Sequence, residues 1–181
     1  MFSTRSIVFL LVISVSCFGA DKPKLQSSVD GKICKLDGAI NKRTKVSVQI
    51  EMGEKKELSL EEIEKKGQDP AWRRDYYSGW APVKRVLIKV NSNAVDIPQS
   101  SFQDLYAVSS MEMFERKGSL YLLIGGGDAG ESYSATFRII SSARVKGKFR
   151  LSERILRHGE FPDEVWEKTI YQNTIWDDPN M

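Results

Sequence analysis

The sequence predicts an α+β fold that is mostly antiparallel β: a β-meander sheet with one short helix. Three observations lead there. Runs such as VSVQIEM (46–52) and VKRVLIKV (83–90) alternate apolar and polar residues with a period of two, the mark of a strand with one face buried. From residue 108 onward such runs follow one another closely, separated by the turn signals RKGS, GGGDAG and KGK. Only one segment, SLEEIEKKG, carries the start and stop signals of a helix.

The chain opens with MFSTRSIVFLLVISVSCFGA. One early cation, Arg5, precedes the apolar run IVFLLVISV and then small residues, the layout of a secretory signal peptide over residues 1–19. The run is too short to span a bilayer as a helix. Cleavage after Gly19 puts Cys17 and Gly19 at the small-residue positions, whereas cleavage after Ala20 would put the bulky Phe18 third from the cut. A second processing route is open: VSC resembles a loose lipobox, with Ser14 where Leu is usual, and would anchor the protein through a lipidated Cys17. The expected location is secreted or periplasmic, lipid-anchored in the alternative, with no transmembrane span after signal cleavage.

Residues 20–29 are polar, contain Pro23 and read as a flexible mature N-terminus. Residues 30–181 read as a single β-rich domain, long enough to bury a core without staples. With Cys17 in the leader the mature chain keeps only Cys34, so no intramolecular disulfide is expected. Cys34, in GKICKL, reads as a small hydrophobe in a strand. A thiol nucleophile needs a base, and the only histidine, His158, is far along the chain.

The first strand run presents Val46, Val48, Ile50 and Met52 on one face. The helix follows, with Ser59 as N-cap, Glu62 completing a capping box and Gly67 as the stop. Its apolar stripe is only Leu60 and Ile63, which places it on the surface. The next strand presents Val86, Ile88 and Val90. NSNAVDIPQSSF reads as loop, since Pro98 bars a central strand, and SSFQDLY starts one helical turn capped by Ser100 or Ser101. VSSMEMFERKGSLYLLIGGG is a hairpin turned at RKGS, and SYSATFRII and FRLSERIL continue the meander.

GGGDAG has the spacing G-x-G-x-x-G, but a dinucleotide site needs a helix after the glycines to hold the pyrophosphate. Here Tyr133, Ala135, Phe137 and Ile139 alternate as a strand does. Gly125, Gly126, Gly127, Asp128 and Gly130 are therefore read as a hairpin turn. Its glycines supply positive φ, and Asp128 bonds its own backbone. No nucleotide and no other cofactor is predicted. Asp128 and Glu131 alone are too few ligands for calcium, and His158 has no companions for a metal site. No catalytic residue is assigned.

Two surfaces stand out. In DPAWRRDYYSGWAP (69–82), Trp72, Tyr76, Tyr77 and Trp80 interleave with Arg73 and Arg74, a composition suited to partner binding. Folding of these rings onto the core is the other open reading. Farther on, Arg144, Lys146, Lys148, Arg150 and Arg154 all fall on even positions, while Val145, Phe149, Leu151 and Ile155 fall on odd ones. In an unbroken strand that makes one face cationic and the other apolar. The acidic tail residues Glu160, Asp163, Glu164 and Glu167 are expected to fold back and neutralise that face, with Phe161 and Trp166 pinning the tail to the core. The chain has 27 Lys and Arg against 24 Asp and Glu, a balance that argues against a dedicated nucleic-acid binder.

IPQSSFQDL (97–105), GGGDAGESY (125–133) and GEFPDEVWEKTIY (159–171) together resemble a recurring type of uncharacterised bacterial exported protein. Such proteins have a GGD–Tyr hairpin and an EFPDE-x-x-E-x-T-x-Y tail. The resemblance covers the C-terminal half and implies a β-rich fold and export; it carries no activity with it. The functional expectation is an exported, non-enzymatic binding or structural module of the cell envelope or exterior, with an unknown protein or envelope component as partner. The alternatives are a small secreted hydrolase using carboxylates, and an inhibitor or immunity-type protein acting through the aromatic loop.

Export has a direct check. Mass spectrometry of the protein isolated from its source should show Ala20 or Asp21 at the N-terminus, or a lipidated Cys17; an intact Met1 would refute it.

Overall fold

The computed structural model describes residues 24–30, 32–54, 81–127, 132–142 and 145–172. Ten strands make up most of them: β1 (Lys24–Asp30), β2 (Ile33–Asn41), β3 (Thr44–Met52), β4 (Val83–Val90), β5 (Asn93–Asp96), β6 (Val108–Arg116), β7 (Ser119–Gly126), β8 (Tyr133–Ser141), β9 (Phe149–His158) and β10 (Val165–Ile170). The one helical element among the described residues is a 3-10 turn, Gln99–Ser101. The turn expected in SSFQDLY, capped by Ser100 or Ser101, starts earlier: Pro98 holds the cap position, and the buried Ser101, inside the turn, donates its hydroxyl to the Pro98 carbonyl at 2.6 Å. The helix expected at SLEEIEKKG lies outside the described residues. What the structure establishes is a mostly antiparallel β fold.

The strands follow the order β1-β2-β3-β4-β5-β9-β8-β7-β6, with β10 added to β9. All pairs are antiparallel except β5 with β9. The sheet curls nearly into a barrel, because β6 comes round against β1 and β2. Two contacts mark that closure: the Cys34 thiol donates to the Val108 carbonyl at 3.7 Å, and Asn41 Nδ2 donates to Glu115 at 2.7 Å.

The alternation in the sequence accounts for the interior. Val46, Val48 and Ile50 of β3, Val86, Ile88 and Val90 of β4, and Tyr133, Ala135, Phe137 and Ile139 of β8 are all buried. Leu120, Leu122 and Ile124 of β7 join them, and Met52 packs against this core from its edge. Each of the Val, Leu, Ile and Phe side chains among them is worth about 1.5–3 kcal/mol of transfer free energy when fully buried.

Two segments differ from the sequence-based reading. Residues 24–29, expected to be flexible, belong to β1, which pairs along its length with β2 as the end strand of the path. Their polar composition reflects that position: Gln26, Ser27 and Ser28 are exposed, and Leu25 packs against the core. Within NSNAVDIPQSSF, read as loop, Asn93–Asp96 forms β5. Asn91 and Ser92 both take positive φ, 49° and 69°, and make the tight turn back from β4, as Lys117 and Gly118 (51° and 73°) do between β6 and β7. Asn91 is further held by its side chain, which accepts the Lys45 N–H at 2.8 Å. Pro98 follows β5, where a missing N–H costs no ladder bond.

The glycine segment runs from strand to strand. β7 ends at Gly126, β8 begins at Tyr133, and these two residues face one another in antiparallel register. Asp128 and Gly130 lie outside the described residues. Of Gly125, Gly126 and Gly127, only Gly127 has positive φ, at 75°. Space explains the other two. A Cβ at Gly126 would overlap the Tyr133 hydroxyl and the Tyr106 carbonyl, and one at Gly125 would overlap the Ser110 hydroxyl. Among the described residues no helix is long and apolar enough to cross a membrane.

Gly126→Ala should therefore destabilise through overlap rather than backbone strain, by about 1–3 kcal/mol. Tyr133→Phe removes one of the overlapping atoms, so in a urea-denaturation double-mutant cycle the second substitution should recover part of the first loss. Additive losses would rule out the contact as the cause.

Candidate functional site

The most polar part of the interior is built on β9, and an irregularity in the β8–β9 ladder creates it. Arg138 faces Glu153 and Ile139 faces Leu151, so Ser152 is an extra residue. Its hydroxyl donates to the Arg138 carbonyl at 3.0 Å. A bulge shifts the phase of a strand by one residue and exchanges its faces. Before it, Leu151 points inward; after it, Arg154, Leu156 and His158 do, facing Phe137, Ala135 and Tyr133 of β8.

Arg154 is thus in the core, only 1% exposed. Two carboxylates from separate parts of the chain meet it. Asp104, in the turn after the 3-10 element, accepts from Nη2 at 2.5 Å, and Glu167 of β10 accepts from Nη1 at 3.0 Å. Thr169 donates its hydroxyl to the same Glu167 oxygen. Two buried atoms of the pair, Asp104 Oδ1 and Arg154 Nε, have no hydrogen-bond partner. A side-on fork between guanidinium and carboxylate would join these two atoms, so the Asp104–Arg154 contact is one bond short of a bidentate pair.

Around this cluster lie groups that stay protonated. Tyr133 donates to the Tyr106 carbonyl at 2.7 Å and accepts the Tyr106 N–H at 3.3 Å. Burial drives its ionisation far above the usual tyrosine range, against the lowering effect of the bond to Tyr106. Burial also raises Tyr171, with the Arg154 charge opposing it. The Cys34 thiol, fully enclosed, is pushed up to about 11 by burial alone. A thiol held protonated is no nucleophile at neutral pH.

A second cluster anchors the tail. His158 lies 4.8 Å from the Phe161 ring and 5.2 Å, edge-on, from the Trp166 ring. Its Nδ1 accepts the backbone N–H groups of Glu160 and Phe161 at 3.1 and 3.3 Å. Trp166 packs against the core and donates to Glu164 at 3.1 Å. Phe161 touches His158 with one face but is 60% exposed, so Trp166 pins the tail while Phe161 faces solvent.

The expected cationic face is not a face. Lys146 and Lys148 are exposed on the β8–β9 turn, Arg144 lies outside the described residues, and Arg150 and Arg154 are buried. Arg150 donates to the Tyr171 carbonyl at 2.8 Å and the Leu151 carbonyl at 3.3 Å. On the odd side, Val145 is exposed and Leu151 buried. The alternation assumed one unbroken strand from 144 to 154; β9 starts at Phe149 and changes phase at Ser152. The acidic tail does return a carboxylate, but one only: Glu167 meets Arg154, while Glu160, Asp163 and Glu164 stay exposed. Trp72, Arg73, Arg74, Tyr76, Tyr77 and Trp80 lie outside the described residues. Asp104 was missed, and nothing near it in sequence points to a partner 50 residues away.

Two outcomes follow. Arg154→Ala leaves two carboxylates without their buried cation and should cost about 3–5 kcal/mol. Glu167→Gln, at a side chain half exposed, should cost about 1 kcal/mol or less by urea denaturation. Equal losses would contradict Arg154 as the centre of the cluster. The second outcome concerns pH. Cys34 and Tyr133 bind their protons more tightly folded than unfolded, so their stabilisation is complete below pH 9 and falls as pH rises. Each group contributes a slope of at most about 1.4 kcal/mol per pH unit. Tyr133→Phe should flatten the decline above pH 10 in denaturation series; an unchanged decline would exclude Tyr133 as a source. Compared with models of protein families, with curated proteins and with solved structures, the chain matches none.

Proposed function

We propose that the protein is an exported, non-enzymatic binding module of the cell envelope or exterior. One observation carries the reading. Phe161, Val165 and Ile170, at 60%, 50% and 62% exposure, leave three large apolar side chains in solvent within one short stretch of an otherwise well-buried fold. Exposed apolar groups gathered beside charge are what a contact surface presents. The neighbouring Glu160, Asp163 and Glu164 are exposed as well. The carboxylate of this tail that does reach the interior, Glu167, is bonded to Arg154 and Thr169, which suits a tether better than an acid–base catalyst.

The test is retention from envelope extract on the immobilised mature chain, beside a Phe161→Ser/Ile170→Ser double variant. A component should be retained saturably by the native surface and lost by the double variant, with both proteins melting alike. Identical retained sets, or none above the bare matrix, would remove this surface as the binding site.

A further inference from the structure

Among the described residues β10 is paired on one side only. β9 is its partner, and no described strand lies along its other edge. The Tyr171 N–H donates inward to the Ser152 carbonyl at 2.9 Å. Antiparallel ladders turn every second residue's backbone groups the opposite way. Lys168 and Ile170 therefore aim their N–H and C=O groups away from β9. Proteins blunt such edges with charge, proline or cover, because an open edge is a template for another strand. Here Val165 and Ile170 flank it, both at least half exposed, and Phe161 stands just before it.

The approach to this edge is acidic, while Arg157 of β9, half-buried opposite Val165, donates to Thr136 at 3.4 Å. Glu160, Asp163 and Glu164 form its N-terminal approach, are exposed, and meet no cation among the described residues. The cation within β10, Lys168, is engaged by Glu153 at 3.5 Å. A net charge of +3 for the whole chain hides this local acidity.

A second copy fits poorly. Two antiparallel copies of β10 related by a two-fold axis must oppose residues of like parity. The registers that use most of the strand then set Glu167 against Glu167 or Lys168 against Lys168. Like charges directly opposite destabilise a strand pair.

Resting on the binding reading above, we infer that the open edge of β10 receives an extended strand of a different protein. That strand adds to the sheet through the backbone of Lys168 and Ile170. Its apolar side chains cover Val165 and Ile170, and its cations meet Glu160, Asp163 and Glu164. Main-chain bonds supply affinity in such strand addition, and alternate side chains supply selectivity.

The probes are two acetylated, amidated peptides, VKVKVKV and VEVEVEV, titrated into the isotopically labelled mature protein. The lysine peptide should bind, and the glutamate peptide should bind more weakly by about tenfold or more. The Lys168 and Ile170 amides should exchange fast in the free protein and slow on binding. Lys168→Pro removes an outward N–H while leaving the bonds to β9, and should weaken the lysine peptide by about tenfold. Ile170→Lys, which removes the apolar cover and repels the lysine peptide, gives the same reading with the backbone intact, should the proline variant melt early. The proposal is overturned by equal binding of the two peptides or indifference to both substitutions. Amides already protected in the free protein, or a free protein that sediments as a dimer, overturn it too. Retention of an envelope component that ignores Lys168→Pro would leave the binding reading standing and remove the edge from it.

Discussion

The fold has to accommodate a guanidinium at its centre, and the way it does so governs the rest. Arg154 is almost fully buried, and removing such a charge from water costs several kcal/mol unless its donors are met. Asp104 and Glu167 each meet one of its terminal nitrogens, and Nε is left without a partner. The two carboxylates come from segments that share no ladder: the crossover that leads from β5 to β6, and β10. The cluster works as a cross-link between distant parts of the chain, since it ties both the crossover and β10 to β9. Along the sheet, β4 reaches β9 through the four-residue β5, which forms two register pairs with β4 and two with β9. On the other side β6 comes round against β1 and β2.

The crossover is fixed at several further points. Val83 donates to Leu105 and Ala107 to Ala81 across the start of β4, and Phe102 and Leu105 are buried. Tyr133 then clamps Tyr106 at both its N–H and its carbonyl, with its hydroxyl over Gly126. Gly126, the last residue of β7, is thus part of the same lock that presents Asp104 to Arg154. It belongs to a phosphate-binding spacing in sequence alone; its role is to leave room for a tyrosine.

The open strands differ in ways that bear on function. β1 carries the exposed polar residues Gln26, Ser27 and Ser28 at its middle, as an end strand in water does. β10 carries exposed valine and isoleucine, with an exposed phenylalanine before it. The tether through Glu167 and the ring packing of Trp166 on His158 hold that strand and its preceding turn firmly to the body. A rigid edge with apolar side chains is pre-organised for contact, because little conformational entropy is lost when a partner covers it.

Much of the sheet was legible in the sequence because a strand's two-residue period is a property of the local backbone. Val46, Val48 and Ile50, Val86, Ile88 and Val90, and Tyr133 through Ile139 declare their inward faces without reference to neighbours. The glycine segment was legible as a connection between strands for the same reason. β1 and β5 were not. One is polar because it lies at an end of the sheet, the other is four residues long, and both are strands only because a neighbour supplies their hydrogen bonds. The candidate surface was half visible: the tail's carboxylates and aromatics stand out in sequence, whereas the exposure of Phe161 and the open side of β10 depend on what packs nearby. Arg154 shows the division most sharply. Its alternation with apolar neighbours reads as an outward cation, and a bulge at Ser152, decided by how β9 pairs with Arg138 and Ile139, turns it into the core. For the strands with a clear apolar alternation, the period is written in the residues. The phase is settled by the fold, because it is set by the partner strand and one extra residue reverses it.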